Sequence, residues 1–226
     1  MSGELCVSTN VPVCPCIISG KLDNLVVMPT TVLLSTVGHH ISSNSMAELD
    51  MKIMVLGDLG VGKTALIRRY VDSEYIPDYK ITVDLDFKQK QMSLGEGKLN
   101  LQLWDVPGNE RFGGLTSVYY KYSHGAIVTF DLARRETFLS AAAWLSDYVT
   151  AMELGGGEGG VLPVVLVGNK ADVENISVAS QEYVTWVEDN KILAFFEVSA
   201  RDDTNVDAAV KVLVDHILAT DSVFSG

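Results

Sequence analysis

No cysteine follows residue 16 in this chain of 226 residues; Cys6, Cys14 and Cys16 are the whole complement. That spacing excludes a disulfide-stapled secreted domain and points to a reducing compartment, the cytoplasm. Basic residues are also scarce, with 17 Lys plus Arg against 29 Asp plus Glu and a formal charge of −12. Such a chain has no general electrostatic grip on nucleic acid or anionic lipid, so any phosphate it binds must be gripped locally. Long hydrophobic runs are missing too. The apolar stretch 25–37 is broken by Pro29 and three threonines, and falls short of the ~20 residues that a bilayer span needs. A secretory signal would start with basic residues, yet Glu4 is the only charge before Lys21. What is present is 47% apolar, 20% charged and 8% aromatic, the make-up of a globular protein with an ordinary core.

Residues 1–45 carry only Glu4, Lys21 and Asp23 as charges, with Pro12, Pro15 and Pro29 scattered among them. They show no period of 2 or 3.6 and read as an unstructured leader. The character changes at Met46, which could itself be the initiator, the leader then being foreign to the native chain. Cys14, Cys16, His39 and His40 match no zinc-ligand spacing. From 46 to 220 apolar runs alternate with helical stripes. Strands are predicted at 51–56, 83–92, 99–104, 126–130, 164–167 and 193–198. Phe138, Ala142, Leu145, Val149 and Met152 form one helical stripe, and Val206, Val210, Leu213 and Ile217 another. This alternation predicts an α/β domain: a mostly parallel six-stranded sheet with helices on both faces. Its one antiparallel edge strand comes from the hairpin around Gly95 and Gly97. The glycine-rich run 155–160 reads as a surface loop. A short tail, 221–226, ends the chain.

Gly57-Asp58-Leu59-Gly60-Val61-Gly62-Lys63-Thr64 fits G-x-x-x-x-G-K-[ST], between an apolar strand and a helix that opens with Ala65. In that setting backbone N–H groups cradle phosphates, Lys63 places a point charge on the outer ones, and Thr64 can ligate Mg²⁺. Asp105-Val106-Pro107-Gly108 ends another strand. There the Asp105 carboxylate can hold Mg²⁺ through water and the Gly108 N–H can meet a γ-phosphate. Asn169-Lys170-Ala171-Asp172 and Ser199-Ala200-Arg201 follow two further strands, on the edge where open α/β sheets bind ligands. The Asp172 carboxylate can accept from both donors of a guanine edge, which adenine does not offer, so mismatched bases are strongly rejected.

These motifs give residues 46–220 a resemblance to the Ras superfamily of small GTPases, P-loop G domains that bind GTP or GDP. The segments 101–105 and 111–121, with Val83-Asp84-Leu85-Asp86-Phe87, are similar to those of the Rab branch, which implies a switch in vesicle-mediated transport. The resemblance implies that Thr82 reaches Mg²⁺ and the γ-phosphate, Tyr75 stacks on the base, Lys170 lies along it, and Ser199, Ala200 and Arg201 close the pocket. It further implies that Phe87, Trp104 and Tyr119 form an aromatic triad read by effectors, with exchange factors and GTPase-activating proteins as further partners. A P-loop kinase or ATPase would need neither the Asn169–Asp172 motif nor the 111–121 segment.

Four departures stand out. Asn109 occupies the place of the glutamine that orients the attacking water. Pro107 stiffens the same segment. Asp84 puts a charge into the effector-facing strand. The last residues, 221–226, contain no cysteine for prenylation, so no C-terminal lipid anchor is expected. The expected behaviour is slow hydrolysis with Lys63, Thr82, Gly108 and Asn109 as the catalytic set; the alternative is a GTP-locked binding module.

Overall fold

The computed structural model describes residues 25–27, 48–77, 81–94, 97–109, 116–152, 161–178 and 180–220. The cysteines, His39, His40, Met46, residues 111–115 of the Rab-like segment, the run 155–160 and the tail 221–226 lie outside the described residues.

In chain order the elements are β1 (Leu25–Val27), β2 (Glu48–Leu56), α1 (Lys63–Asp72), β3 (Asp86–Leu94), β4 (Gly97–Asp105), α2 (Thr116–Tyr120), β5 (Gly125–Asp131), α3 (Arg135–Ala151), β6 (Leu162–Asn169), α4 (Ser180–Asp189), β7 (Ile192–Val198) and α5 (Val206–Thr220). The sheet order is β1-β7-β6-β5-β2-β4-β3. The strands from β7 to β4 run parallel, and β3 lies antiparallel on β4, in register from Asp86 opposite Asp105 to Leu94 opposite Gly97. The six expected strands and the expected antiparallel edge are therefore present. A seventh strand, β1, comes from within the leader and pairs antiparallel with the outer side of β7. Three residues are too few to register as a periodic pattern, which is why the sequence does not reveal it.

Hydrophobic alternation along the inner strands loads both faces of the sheet. In β2, Met51, Ile53 and Val55 join the cluster covered by α1 and α5, through Leu66, Ile67, Tyr70, Val210 and Leu213. Met54 and Leu56 point the other way, into the cluster of Tyr120, Phe138, Trp144, Tyr148 and Phe195 beneath α2, α3 and α4. Two local expectations need correcting. In α3 the buried stripe runs through Phe138, Ala141, Trp144, Leu145 and Tyr148, and Ala142 is exposed. Its neighbours Trp144 and Tyr148 are the larger apolar payload, so the helix turns them inward instead. Strand β3 starts at Asp86, and Val83 is 69% exposed before it, because Asp86 is the first residue that finds a ladder partner on β4.

Candidate functional site

The strand order switches sides at β2: from there the chain passes through α1 to β3 and β4 on one side, and β5 lies on the other. Ligands bind in such crevices, beyond the carboxyl ends of the strands. Here the crevice is a cavity of about 580 Å³, and it gathers residues from several connections at one end of the sheet. Leu59, Gly60, Gly62, Lys63, Thr64 and Ala65 come from the turn after β2; Tyr75 and Thr82 from the segment after α1; Gly108 from the turn after β4. Asn169, Lys170, Asp172, Ala200 and Arg201 come from the ends of β6 and β7. Asp58, Val61, Asp105, Asn109 and Ser199 of the expected set do not line it. Of these, Asp58, Val61, Asp105 and Ser199 brace lining residues through the bonds described below.

Lys63 is buried and donates to the carbonyls of Gly57 (2.8 Å) and Asp58 (3.0 Å). Burial brings its ammonium down to about 8, against the pull of Asp105 and Asp58. The loop is anchored from outside: Trp144 Nε1 donates to Asp58 Oδ1 at 2.8 Å, and Asn169 Nδ2 donates to the Val61 carbonyl at 2.9 Å. Gly62 sits at φ +98°, with Asn169 Nδ2 only 2.3 Å from where a Cβ would stand, so both conformation and space require glycine. Gly108 is equally confined, since its Cβ would lie 2.4 Å from the Leu59 nitrogen.

Three oxygens that could hold a divalent cation converge beside Lys63. Thr64 Oγ1 donates to Asp105 Oδ2 at 2.5 Å and lies 2.8 Å from Thr82 Oγ1, which itself lies 3.4 Å from that carboxylate oxygen. The other oxygen, Oδ1, is buried and has no hydrogen-bond partner among the described residues. Burial pushes the Asp105 carboxyl up, opposed by hydrogen bonds from Thr64 and Thr82 and by the Lys63 charge. A buried carboxylate with a lone pair to spare, flanked by two hydroxyls, suits a hard cation such as Mg²⁺.

At the far end of the cavity Asp172 Oδ1 accepts from Ser199 Oγ at 2.7 Å, and Arg201 Nη1 stands 3.5 Å from Oδ2. Asn169 Oδ1 accepts from the Ala200 N–H at 3.3 Å, and Lys170 Nζ donates to the Gly60 carbonyl at 2.9 Å. The ends of β6 and β7 are thereby tied to the glycine loop.

Comparison with known proteins agrees with this geometry. The profile of the Ras family matches residues 52–219. The chain is 39% identical over 173 residues to "Ras-related protein Rab-32A" of Dictyostelium discoideum, covering 75% of this chain and 78% of that protein. It is 39% identical over 175 residues to "Ras-related protein Rab-32" of Homo sapiens, covering 76% and 77% respectively. To "Ras-related protein Rab-7b" of Bos taurus it is 35% identical over 179 residues, covering 78% and 86%. The chain belongs to the Ras family. It is a Rab-like small GTPase.

In this Rab-like chain Phe87 and Trp104, paired across β3 and β4 at the edge of the sheet, stack at 5.0 Å with 15° between their planes. Lys52 Nζ sits 4.2 Å over the Trp104 ring and donates to the Tyr119 carbonyl at 2.7 Å, linking α2 to that pair. Tyr119 packs against the same core cluster as Trp104. Asn109 is exposed. Four residues line the cavity without having been expected there: Arg68, Ile76, Pro77 and Arg134. Arg134 is the most consequential, and a basic pair at the start of a helix gives no hint of it.

Proposed function

We propose that the chain is a Rab-like switch that holds GTP or GDP together with Mg²⁺, hydrolyses GTP slowly, and recruits effectors in vesicle traffic while GTP is bound. The observation that carries this reading is the cavity in which the phosphate loop meets Asn169, Lys170 and Asp172. Phosphates lie at the Gly57–Thr64 loop, where N–H groups and Lys63 receive their charge. The guanine edge donates to Asp172, with Lys170 along the base, Tyr75 against it, and Ser199, Ala200 and Arg201 closing the pocket. Thr64 and Thr82 would hold Mg²⁺ directly and Asp105 through water. When bound, the ion neutralises charge on the outer phosphates.

Thr82 and Gly108 are the residues that sense the γ-phosphate, and losing it releases both segments. Hydrolysis is attack of water on the γ-phosphorus with departure of the β–γ bridging oxygen, and the side-chain amide of Asn109 is the group available to orient that water. One methylene shorter than glutamine, that amide falls about 1 Å short, a misplacement that can cost ~10²-fold. The GTP form is therefore long-lived. Phe87, Trp104 and Tyr119 form the effector surface, and regulators act on the same switch segments. Partners recruit the protein to endomembranes; among the described residues no helix is long and apolar enough to cross a membrane.

Single-turnover GTP hydrolysis tests the reading: Asn109→Gln is expected to accelerate it, and further with Pro107→Ala. A wild type as fast as Asn109→Gln would mean that another residue positions the water. A GTP-locked module acting by occupancy alone is the second reading, favoured by Asn109 and Pro107, and a wild-type rate indistinguishable from zero would select it.

A further inference from the structure

The short connection between β5 and α3 brings an additional cation to the phosphate end of the cavity. Arg134 Nε donates to Asp131 Oδ2 at 2.9 Å, and its Nη2 donates to the Leu59 carbonyl at 3.1 Å. From the other side Lys170 Nζ donates to the same Asp131 Oδ2 at 2.6 Å. One carboxylate thus anchors two cations, and each reaches a neighbouring carbonyl of the phosphate loop, Leu59 for Arg134 and Gly60 for Lys170. Burial of Asp131 works to raise its carboxyl, but hydrogen bonds from Lys170, Arg134 and the Ala133 N–H outweigh it and leave the group below the usual carboxylate range. The anchor stays ionised, and the three side chains together carry one net positive charge.

Arginine offers five N–H donors in a planar fork. Nε and Nη2 spend one each on Asp131 and Leu59, which leaves three on a guanidinium that lines the cavity. Leu59 is flanked on its other side by Gly108, whose Cβ would lie 2.4 Å from the Leu59 nitrogen. Arg134 and the segment that senses the γ-phosphate therefore bracket the same loop residue. A fork with free donors at that position suits phosphate oxygens, whereas Lys63, enclosed by the loop, serves from beneath.

We propose that Arg134 donates, within the same chain, to the terminal phosphate of bound GTP, favouring GTP over GDP and stabilising the charge that the γ-phosphoryl oxygens carry during hydrolysis. This rests on the nucleotide reading above. Arg134 transfers no proton: water attacks the γ-phosphorus, the bond to the bridging oxygen breaks, and the guanidinium supplies hydrogen bonds throughout.

The test uses the full chain as wild type, Arg134→Ala and Arg134→Lys, with GDP and GTPγS affinities and single-turnover GTP hydrolysis as readouts. Arg134→Ala is expected to weaken GTPγS at least about tenfold while weakening GDP less than about threefold, and to slow hydrolysis by at least about tenfold, as expected for removing one preorganised donor. Arg134→Lys keeps the charge but not the fork, and should recover part of the affinity and less of the rate. An arginine that merely clamps the loop would weaken both nucleotides equally; that result, or hydrolysis within about twofold of wild type, overturns the proposal. A wild type that binds no guanine nucleotide would overturn the nucleotide reading as well, whereas normal binding without the GTP-selective loss removes only the role of Arg134.

Discussion

Replacing Gly108 with alanine should separate the two nucleotides. An added Cβ would stand 2.4 Å from the Leu59 nitrogen, 2.6 Å from the Asp58 carbonyl carbon and 2.7 Å from the Leu59 Cα, all of them backbone atoms. Ordinary contact begins at 3.4 Å, so one side has to yield by about 1 Å. The phosphate loop is the stiffer side: Trp144 holds the Asp58 carboxylate, Lys63 holds the Asp58 carbonyl, and Arg134 holds the Leu59 carbonyl. The 106–109 segment should therefore retreat, taking the Gly108 N–H out of reach of a γ-phosphate. A hydrogen bond to a charged group is worth roughly 1.5–3 kcal/mol, so GTPγS should bind on the order of 10- to 100-fold more weakly. GDP, which has no γ-phosphate, should be nearly unaffected. Single-turnover hydrolysis should fall by ~10²-fold for a shift of that size. Competition of each nucleotide against a fluorescent GDP analogue reads the split. Equal weakening of both would mean that the phosphate loop moved instead, and unchanged affinities would refute the close approach of the two segments.

Asp172→Ala should weaken GDP by at least ~2 kcal/mol through loss of charge-assisted hydrogen bonds; in the wild type, ATP competing with GTP at equal concentration would contradict guanine selectivity. Burial holds the His216 imidazole below its ordinary 6.5, opposed by a backbone hydrogen bond with Val161. Its charged form is penalised in the native state, so the unfolded chain takes up the proton first, and stability should fall as pH drops below about 6.5. Urea unfolding of His216→Gln should show a shallower decline, and an identical pH profile would refute the assignment. A chain beginning at Met46 loses the pairing of Leu25–Val27 with β7 but should keep its GDP affinity; failure of that shortened chain to fold would show that the leader is part of the domain.

Residues whose chemistry dictates their type could be read from the sequence, whereas residues whose role depends on approach in space could not. Lys63, Thr64, Asp105, Asn169 and Asp172 each lie at or just past the carboxyl end of a strand in a short motif, because the phosphate, cation and guanine contacts proposed for them each demand particular chemical groups there. The parallel sheet follows from the same alternation of strands and helices, since inner strands buried on both faces leave continuous apolar runs such as Val164–Val167. Trp144 carried no such mark. In the chain it is one more apolar helix residue, yet the indole that fills the core also reaches Asp58 across 86 residues. Arg69 is similar: it looks like a solvated charge at the end of α1, but it donates to the carbonyls of Ala200 and Arg201 and steadies the loop that lines one end of the cavity.

Arg134 shows why such residues escape a reading by pattern. Next to Arg135 it looks like a solvated pair at a helix start, and Arg135 indeed faces Glu182 on the surface. The two are adjacent, and the turn between β5 and α3 sets one guanidinium towards Glu182 and the other towards the Leu59 carbonyl. That turn is set by Thr137, whose hydroxyl accepts from the Asp131 N–H at 3.0 Å and donates to the Arg134 carbonyl at 2.7 Å. Asp131 then captures the inward arginine and Lys170 together. The charge at the rim of the site is thus a property of a turn, fixed by a threonine that does not line the cavity. No count of motifs along the chain would have assigned Thr137 a part in it.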